Sequence, residues 1–323
     1  MHSLFKTVSV VASVTVALLG SGLASAQEKK VVLSQAFQSM LYLPAYVAQD
    51  AGFFKKHGLE VSKHTAGAPS TALSAVISGS ADFSLHGPEW TAIAAEKGAP
   101  VSIIANVVNG AAVWIATTPD FKFNSIKDLQ GETVVTGMMP TTSTSLLLKL
   151  LKDNGLDANS VKMLQVQLGS EIGPLIAGQA KVAVMYEPGL DQAVARGMKV
   201  VFGFPKLYGP YAFSAITAKK NIDPDTAQRF VSALQDALVY MQTNPKGAVE
   251  IAKKQFSTLD PMVVEGATNR MLVESVFPKT VEITAPALEV AMATQIALGN
   301  LQKQPAYGDF IVQKYIRQAL AAK

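Results

Sequence analysis

Two stretches far apart in the chain carry the same punctuation. His57-Gly58-Leu59-Glu60 resembles Asn154-Gly155-Leu156-Asp157, and Val76-Ile77-Ser78-Gly79-Ser80-Ala81-Asp82-Phe83 resembles Leu175-Ile176-Ala177-Gly178-Gln179-Ala180-Lys181-Val182. Each reads as a helix end, a Gly turn and a strand, because Gly tolerates the left-handed backbone that stops a helix. A duplicated unit of this kind predicts two lobes built on one α/β plan.

The surrounding pattern agrees. Short apolar runs at 31–33, 59–62, 82–85 and 101–107 alternate with helical stretches at 43–56, 70–78 and 89–97. The pattern restarts with strands at 133–135, 161–165 and 182–185 and a helix at 140–154 closed by Gly155. Such alternation implies βαβ units and mostly parallel sheets. From Asp223 the chain reads as helical, at 224–244, 245–256, 261–276 and two later stretches, with Pro opening the first three. These helices are expected to complete the first lobe. The crossings between lobes are expected near 116–121 and 207–213, as short hinge segments. Trp114 reads as core within a strand.

The first residues predict export. Lys6 precedes an apolar run from Val8 to Gly20, and Ala24-Ser25-Ala26 supplies a small-residue cleavage signal. Cleavage after Ala26 would leave Gln27 first, and a chain long enough for two domains. The run is shorter than the roughly 20 residues that span a bilayer, and no later run competes, so a soluble exported protein is expected. The chain has no Cys, which excludes disulfides, thiol catalysis, Cys-ligated zinc and a lipid-modified N-terminal Cys. The net charge of +4 is dispersed. No Lys/Arg block of the nucleic-acid type occurs, so no nucleic-acid partner is expected.

In open parallel sheets ligands sit beyond the carboxyl ends of the strands. That rule selects Phe37, Gln38 and Ser39 after the first strand, and Ser70 and Thr71 after the second. After the third strand it selects His86, Glu89 and Trp90. In the second lobe it selects Thr141, Thr142 and Ser143, then Tyr186 and Glu187. Ser70-Thr71 and Thr141-Thr142-Ser143 open helices, where free N–H groups bind anions; ordinary N-capping explains the same residues. Phe37, Trp90 and Tyr186 would wall a flat pocket or simply pack. His86 could donate to an anion or lie satisfied in the core. Glu89 and Glu187 could hold a cationic or N–H-bearing group, or stabilise their helix starts. The spacing of His57, His64 and His86 makes no metal site. Gly-x-Ser-x-Gly and GxxxxGK[S/T] are both absent, so neither enzyme nor cofactor is expected.

Leu43-Pro44-Ala45-Tyr46-Val47-Ala48, Gly52-Phe53-Phe54 and Gly58-Leu59-Glu60-Val61 resemble the opening of the nitrate/sulfonate/taurine substrate-binding family, which includes binders of thiamine-pyrimidine precursors. Gly79-Ser80-Ala81-Asp82-Phe83, Gly98-Ala99-Pro100, Leu129-Gln130-Gly131-Glu132 and Glu187-Pro188 continue the match. The resemblance implies a type II periplasmic binding fold with a ligand cleft between lobes. The first lobe would be 27–116 plus 211–323 and the second 117–210. It also implies a monomer that delivers a small molecule to an ABC permease at the inner membrane. Eukaryotic relatives that make the thiamine pyrimidine use a cysteine-rich motif that this chain lacks. The selected stretches contain no Arg or Lys, which favours a taurine-like zwitterion or an amino-heterocycle over a simple sulfonate. A secreted enzyme or a sensor subunit on the same scaffold is the alternative.

Overall fold

The structure is a computed structural model and describes residues 28–139 and 141–322. The expected leader, its cleavage after Ala26 and the expected helix start at Pro140 lie outside the described residues. Ten strands occur among the described residues. They are β1 (Lys29–Gln35), β2 (Leu59–Thr65), β3 (Phe83–His86), β4 (Val101–Gly110), β5 (Trp114–Thr117), β6 (Thr133–Gly137), β7 (Lys162–Val166), β8 (Val182–Met185), β9 (Lys199–Gly203) and β10 (Pro210–Lys219). They form two five-stranded sheets, β2-β1-β3-β10-β4 and β7-β6-β8-β5-β9.

The two orders are the same pattern. In each sheet the second, first and third strands of the lobe run parallel, with Val31 opposite Val61 in one and Val134 opposite Met163 in the other. In each, the fourth position is an antiparallel strand supplied by a crossing: β10 against β3 and β4, and β5 against β8 and β9. The repeated segments occupy matching places, before the edge strands β2 and β7 and before the inner strands β3 and β8. β3, β5 and β8 are buried at every residue, so they carry continuous apolar runs rather than an alternation.

Helices cover both sheets. In the first lobe these are α1 (Leu43–Asp50), α2 (Phe53–Lys56), α3 (Pro69–Ser78) and α4 (Pro88–Glu96). In the second they are α5 (Thr142–Asp153), α6 (Ile172–Ile176) and α7 (Gly189–Val194), and α8 (Phe204–Tyr208) leads back. The expected helix at 43–56 is divided, because Gly52 takes a left-handed backbone with φ 78°. The outward crossing also differs from expectation. The chain leaves the first sheet at Gly110 and joins the second at Trp114, so the crossing is 111–113 rather than 116–121. Ile115, Ala116 and Thr117 are already paired with Val184, Ala183 and Val182. The return runs through α8 into β10, and β9 closes the second sheet's edge.

The C-terminal helices are α9 (Pro224–Thr243), α10 (Pro245–Gln255), α11 (Pro261–Val273), α12 (Ala285–Ala297), α13 (Tyr307–Phe310) and α14 (Gln313–Ala321). α9 packs on α1, α2 and α14, α10 on α1, and α12 on β10. α11 and α12 also reach across, to α7 and α5 of the second lobe. Among the described residues no helix is long and apolar enough to cross a membrane. Phe230 of α9 is fully buried, 4.2 Å centroid to centroid from Phe83 and 4.8 Å from Phe54. α9 is therefore part of the first lobe's core, and Phe230→Ala should lower the unfolding free energy in urea by about 3–5 kcal/mol.

Candidate ligand-binding cleft

A narrow cavity of about 20 Å³ lies where the carboxyl ends of the two sheets face each other. The first lobe lines it with Phe37, Leu41 and Tyr42 after β1, Pro69 at the start of α3, and Gly87, Glu89 and Trp90 after β3. Phe213 and Ser214 of β10 add a further wall. The second lobe contributes Thr141 and Thr142 at the start of α5, Leu168 after β7 and Tyr186 after β8. The rings form a chain across the lobes: Tyr42 to Phe37 at 5.5 Å, Phe37 to Tyr186 at 6.4 Å and Tyr186 to Phe213 at 6.1 Å.

Glu89 is the one carboxylate in this lining, and no Lys, Arg or His accompanies it among the described residues. It sits in the first turn of α4 and curls back over Gly87, where an added Cβ would overlap both carboxylate oxygens. It accepts its own backbone N–H and the Thr142 hydroxyl, the latter at 2.8 Å from the other lobe. The starts of α4 and α5 thus both meet this carboxylate, and the positive ends of helices favour a negative group there. Burial nonetheless pushes its pKa up, opposed by the Thr142 hydrogen bond.

The second lobe's helix start is itself occupied. The Ser143 backbone N–H donates to the Tyr186 hydroxyl at 2.9 Å. The Thr141 hydroxyl lies 3.2 Å from that of Ser143 and 3.1 Å from that of Thr144, and Thr144 donates to the Gly137 carbonyl at 2.7 Å. The hydroxyls of this turn are therefore engaged locally, with Thr142 turned to Glu89. Burial foremost, with the nearby charges of Glu171 and Glu89, raises the Tyr186 pKa, so Tyr186 stays a neutral hydroxyl.

Of the residues selected from the sequence, the structure brings Phe37, Glu89, Trp90, Thr141, Thr142 and Tyr186 together around the cavity. The others lie elsewhere. Gln38 is exposed and accepts from Gln35 at 2.8 Å and from the Tyr46 hydroxyl at 3.3 Å. Ser39 caps the following turn by accepting from the Leu41 N–H. Ser70 and Thr71 are exposed on the first turn of α3. Ser143 is buried beside the wall. Glu187 does not line the cavity; its carboxylate accepts from Arg270 at 2.8 Å and from the Asp191 N–H at 3.0 Å. Burial, reinforced by the like charge of Asp191, pushes its pKa up to about 7.

His86 is also satisfied away from the cavity. Its Nδ1 lies 2.9 Å from the Gly87 carbonyl, which can only accept, so the ring is protonated at Nδ1. Nε2 then accepts from the Ser84 hydroxyl at 2.9 Å. Ser84 and His86 stand at nucleophile–base distance, yet both are wholly buried and neither lines the cavity. Among the described residues no group of three or more His, Asp or Glu converges as a metal site.

Leu41, Tyr42, Leu168, Phe213 and Ser214 were not legible as lining. Phe213 and Ser214 escape the strand-end rule for a clear reason. β10 runs antiparallel, so its first half reaches the cleft edge where its parallel neighbours end.

The comparisons with known proteins bear on this geometry. Residues 40–248 match the family described as NMT1/THI5 like. The chain belongs to that family. It is similar to YtlA of Bacillus subtilis, named there as a binding protein, at 22% identity over 91% of each chain. Among solved structures, the periplasmic aliphatic sulphonate binding protein SsuA of Escherichia coli superposes with a TM-score of 0.73 at 16% identity, covering 90% of this chain and 99% of that one. The desulfurization enzyme DszB superposes with a TM-score of 0.69 at 14% identity, covering 91% and 99%. These likenesses establish the two-lobed periplasmic binding fold.

Burial holds the His86 pKa down at about 4, against an ordinary value near 6.5. The unfolded chain takes up this proton below pH 6.5 and the folded chain does not, so His86 costs stability as pH falls from 6.5 to 4. The loss approaches about 3 kcal/mol. Urea titrations of wild type and His86→Gln should therefore show the wild type losing ground to the variant by that order between pH 7.5 and pH 4.

Proposed function

We propose that this chain is an exported solute-binding protein, resident in the periplasm, that closes two lobes on a small molecule and delivers it to an ABC importer. The lobes would be the two sheets with their helices, divided at the crossings around 111–113 and 204–209 rather than at 116 and 211. The leader-like sequence at 1–26 supports export, and the interlobe cavity supports capture. Apart from the Thr142 hydroxyl, which donates to Glu89 across the lobes, no hydroxyl of the lining meets a carboxylate or His among the described residues, and this pair reads as an interlobe contact, which supports binding over turnover.

One observation carries the choice of ligand: among the described residues the cavity is walled by five aromatic rings and holds a single buried carboxylate with no basic residue to offset it. A bare anion entering here would face Glu89 across a low-dielectric space, a costly arrangement. A flat molecule that donates N–H groups would stack on the rings and replace the Thr142 hydroxyl as the partner of Glu89. The favoured ligand is therefore an amino-substituted heterocycle. A taurine-like zwitterion is the second reading, since its ammonium could also meet Glu89.

Thermal unfolding of the purified protein against a panel of aminopyrimidines, thiamine, flavins, taurine, alkyl sulfonates and nitrate tests this. A compound at 100 times its Kd adds about 2.7 kcal/mol to the folded state. The aminopyrimidine or thiamine arm should raise Tm, while nitrate and alkyl sulfonates should not. Glu89→Gln should weaken the responding compound about 10- to 100-fold, the worth of a hydrogen bond to a charged group. A response to nitrate or alkyl sulfonate alone would replace the heterocycle with an anion.

A further inference from the structure

One stripe of α11 faces the second lobe. Gly266, Arg270 and Glu274 follow each other at four-residue spacing, so they share a helix face. All three meet the second lobe. Asp191 of α7 approaches so closely that an added Cβ on Gly266 would lie 2.5 Å from its Oδ2. Arg270 donates from Nε to Glu187 Oε1 at 2.8 Å and from Nη2 to Asp191 Oδ1 at 2.7 Å. Glu274, at the end of the helix, accepts from the Trp114 indole N–H of β5 at 2.9 Å. By chain and packing α11 belongs with α10 and the first lobe, whereas its partners lie on β5, α7 and the loop before it.

None of these six residues lines the ligand cavity. Gly in a helix interior weakens the helix, and the close approach of Asp191 is what occupies the space a side chain would take. The Glu187 carboxylate is fully buried, and its Arg270 partner comes from the other lobe. Separation of the lobes would break three polar contacts at once.

We propose that the Gly266–Arg270–Glu274 face of α11 is an interlobe latch that sets the balance between open and closed forms, so that residues outside the pocket govern how tightly the ligand is held. This rests on the reading that the lobes hinge. A ligand that binds only the closed form is weakened in proportion to the loss of that form. Arg270 is then a positioning residue for binding, acting through lobe geometry.

The absence of Cys from the sequence allows a clean test. Ser70→Cys and Met138→Cys place one spin label on each lobe, at exposed positions outside the cavity lining. Label-to-label distance distributions are then recorded without ligand for the otherwise wild-type protein, Arg270→Gln, Gly266→Ala and Thr142→Val. The last variant cuts the Glu89 contact at the cleft instead of the latch. Circular dichroism verifies folding, and Gly266→Ala strengthens helix propensity, so opening in that variant cannot come from a weakened helix. The expected result is a fall of about tenfold in the odds of the short-distance form in both α11 variants, within the usual range of coupling between sites. If Thr142→Val shifts the distribution and the α11 variants match wild type, the latch is overturned and hinging stands. A single unchanging distance in all four proteins would remove the hinge itself, and the latch with it.

Discussion

Each sheet is completed by a strand that has just crossed from the other. β5 enters the second sheet between β8 and β9, and β10 enters the first between β3 and β4. Because a crossing strand arrives from the cleft side, it must run against its parallel neighbours, and both do. The lobes are thereby tied by two short connections beside the cleft rather than by a long linker. β10 carries irregular register along β4, with shifts on either side of Ser214 and again after Ile216. Such irregularity increases local twist and bending, and it falls in the strand that brings Phe213 and Ser214 to the cavity wall.

With the lobes held this way, the starts of α4 and α5 converge on one point, and Glu89 occupies it. A buried carboxylate is tolerable only with donors, and here they come from its own backbone N–H and from Thr142 across the cleft. The residue therefore bridges the lobes, and under the proposed function the same carboxylate would select the ligand. It fills the place where the helix starts alone would welcome an anion. Under the proposed function, the fold shared with sulphonate binders would not carry their ligand chemistry with it, since fold and site are separable.

The α11 face supplies a second set of interlobe contacts, built from different chemistry. Arg270 is 23% exposed at the side chain while Glu187 is fully buried. The Asp191 Oδ2 atom above Gly266 has no hydrogen-bond partner among the described residues. Bringing such groups together is costly unless geometry satisfies them.

The sequence alone determined the α/β class, the duplicated lobe and most elements, because strand runs, Gly stops and Pro starts are local signals written in neighbouring residues. It also determined Phe37, Glu89, Trp90, Thr141, Thr142 and Tyr186 as candidates, since all follow parallel strands and the strand-end rule is a property of connectivity. Only the tertiary structure decided which of the other candidates face the cavity. Glu187 is drawn to Arg270, 83 positions away, His86 is satisfied by Ser84 and Gly87, and Phe213 reaches the wall on an antiparallel strand. Those outcomes depend on pairings between residues distant in the chain. Local pattern carries no record of the partner, so the direction in which a polar side chain turns is settled only when the lobes are packed.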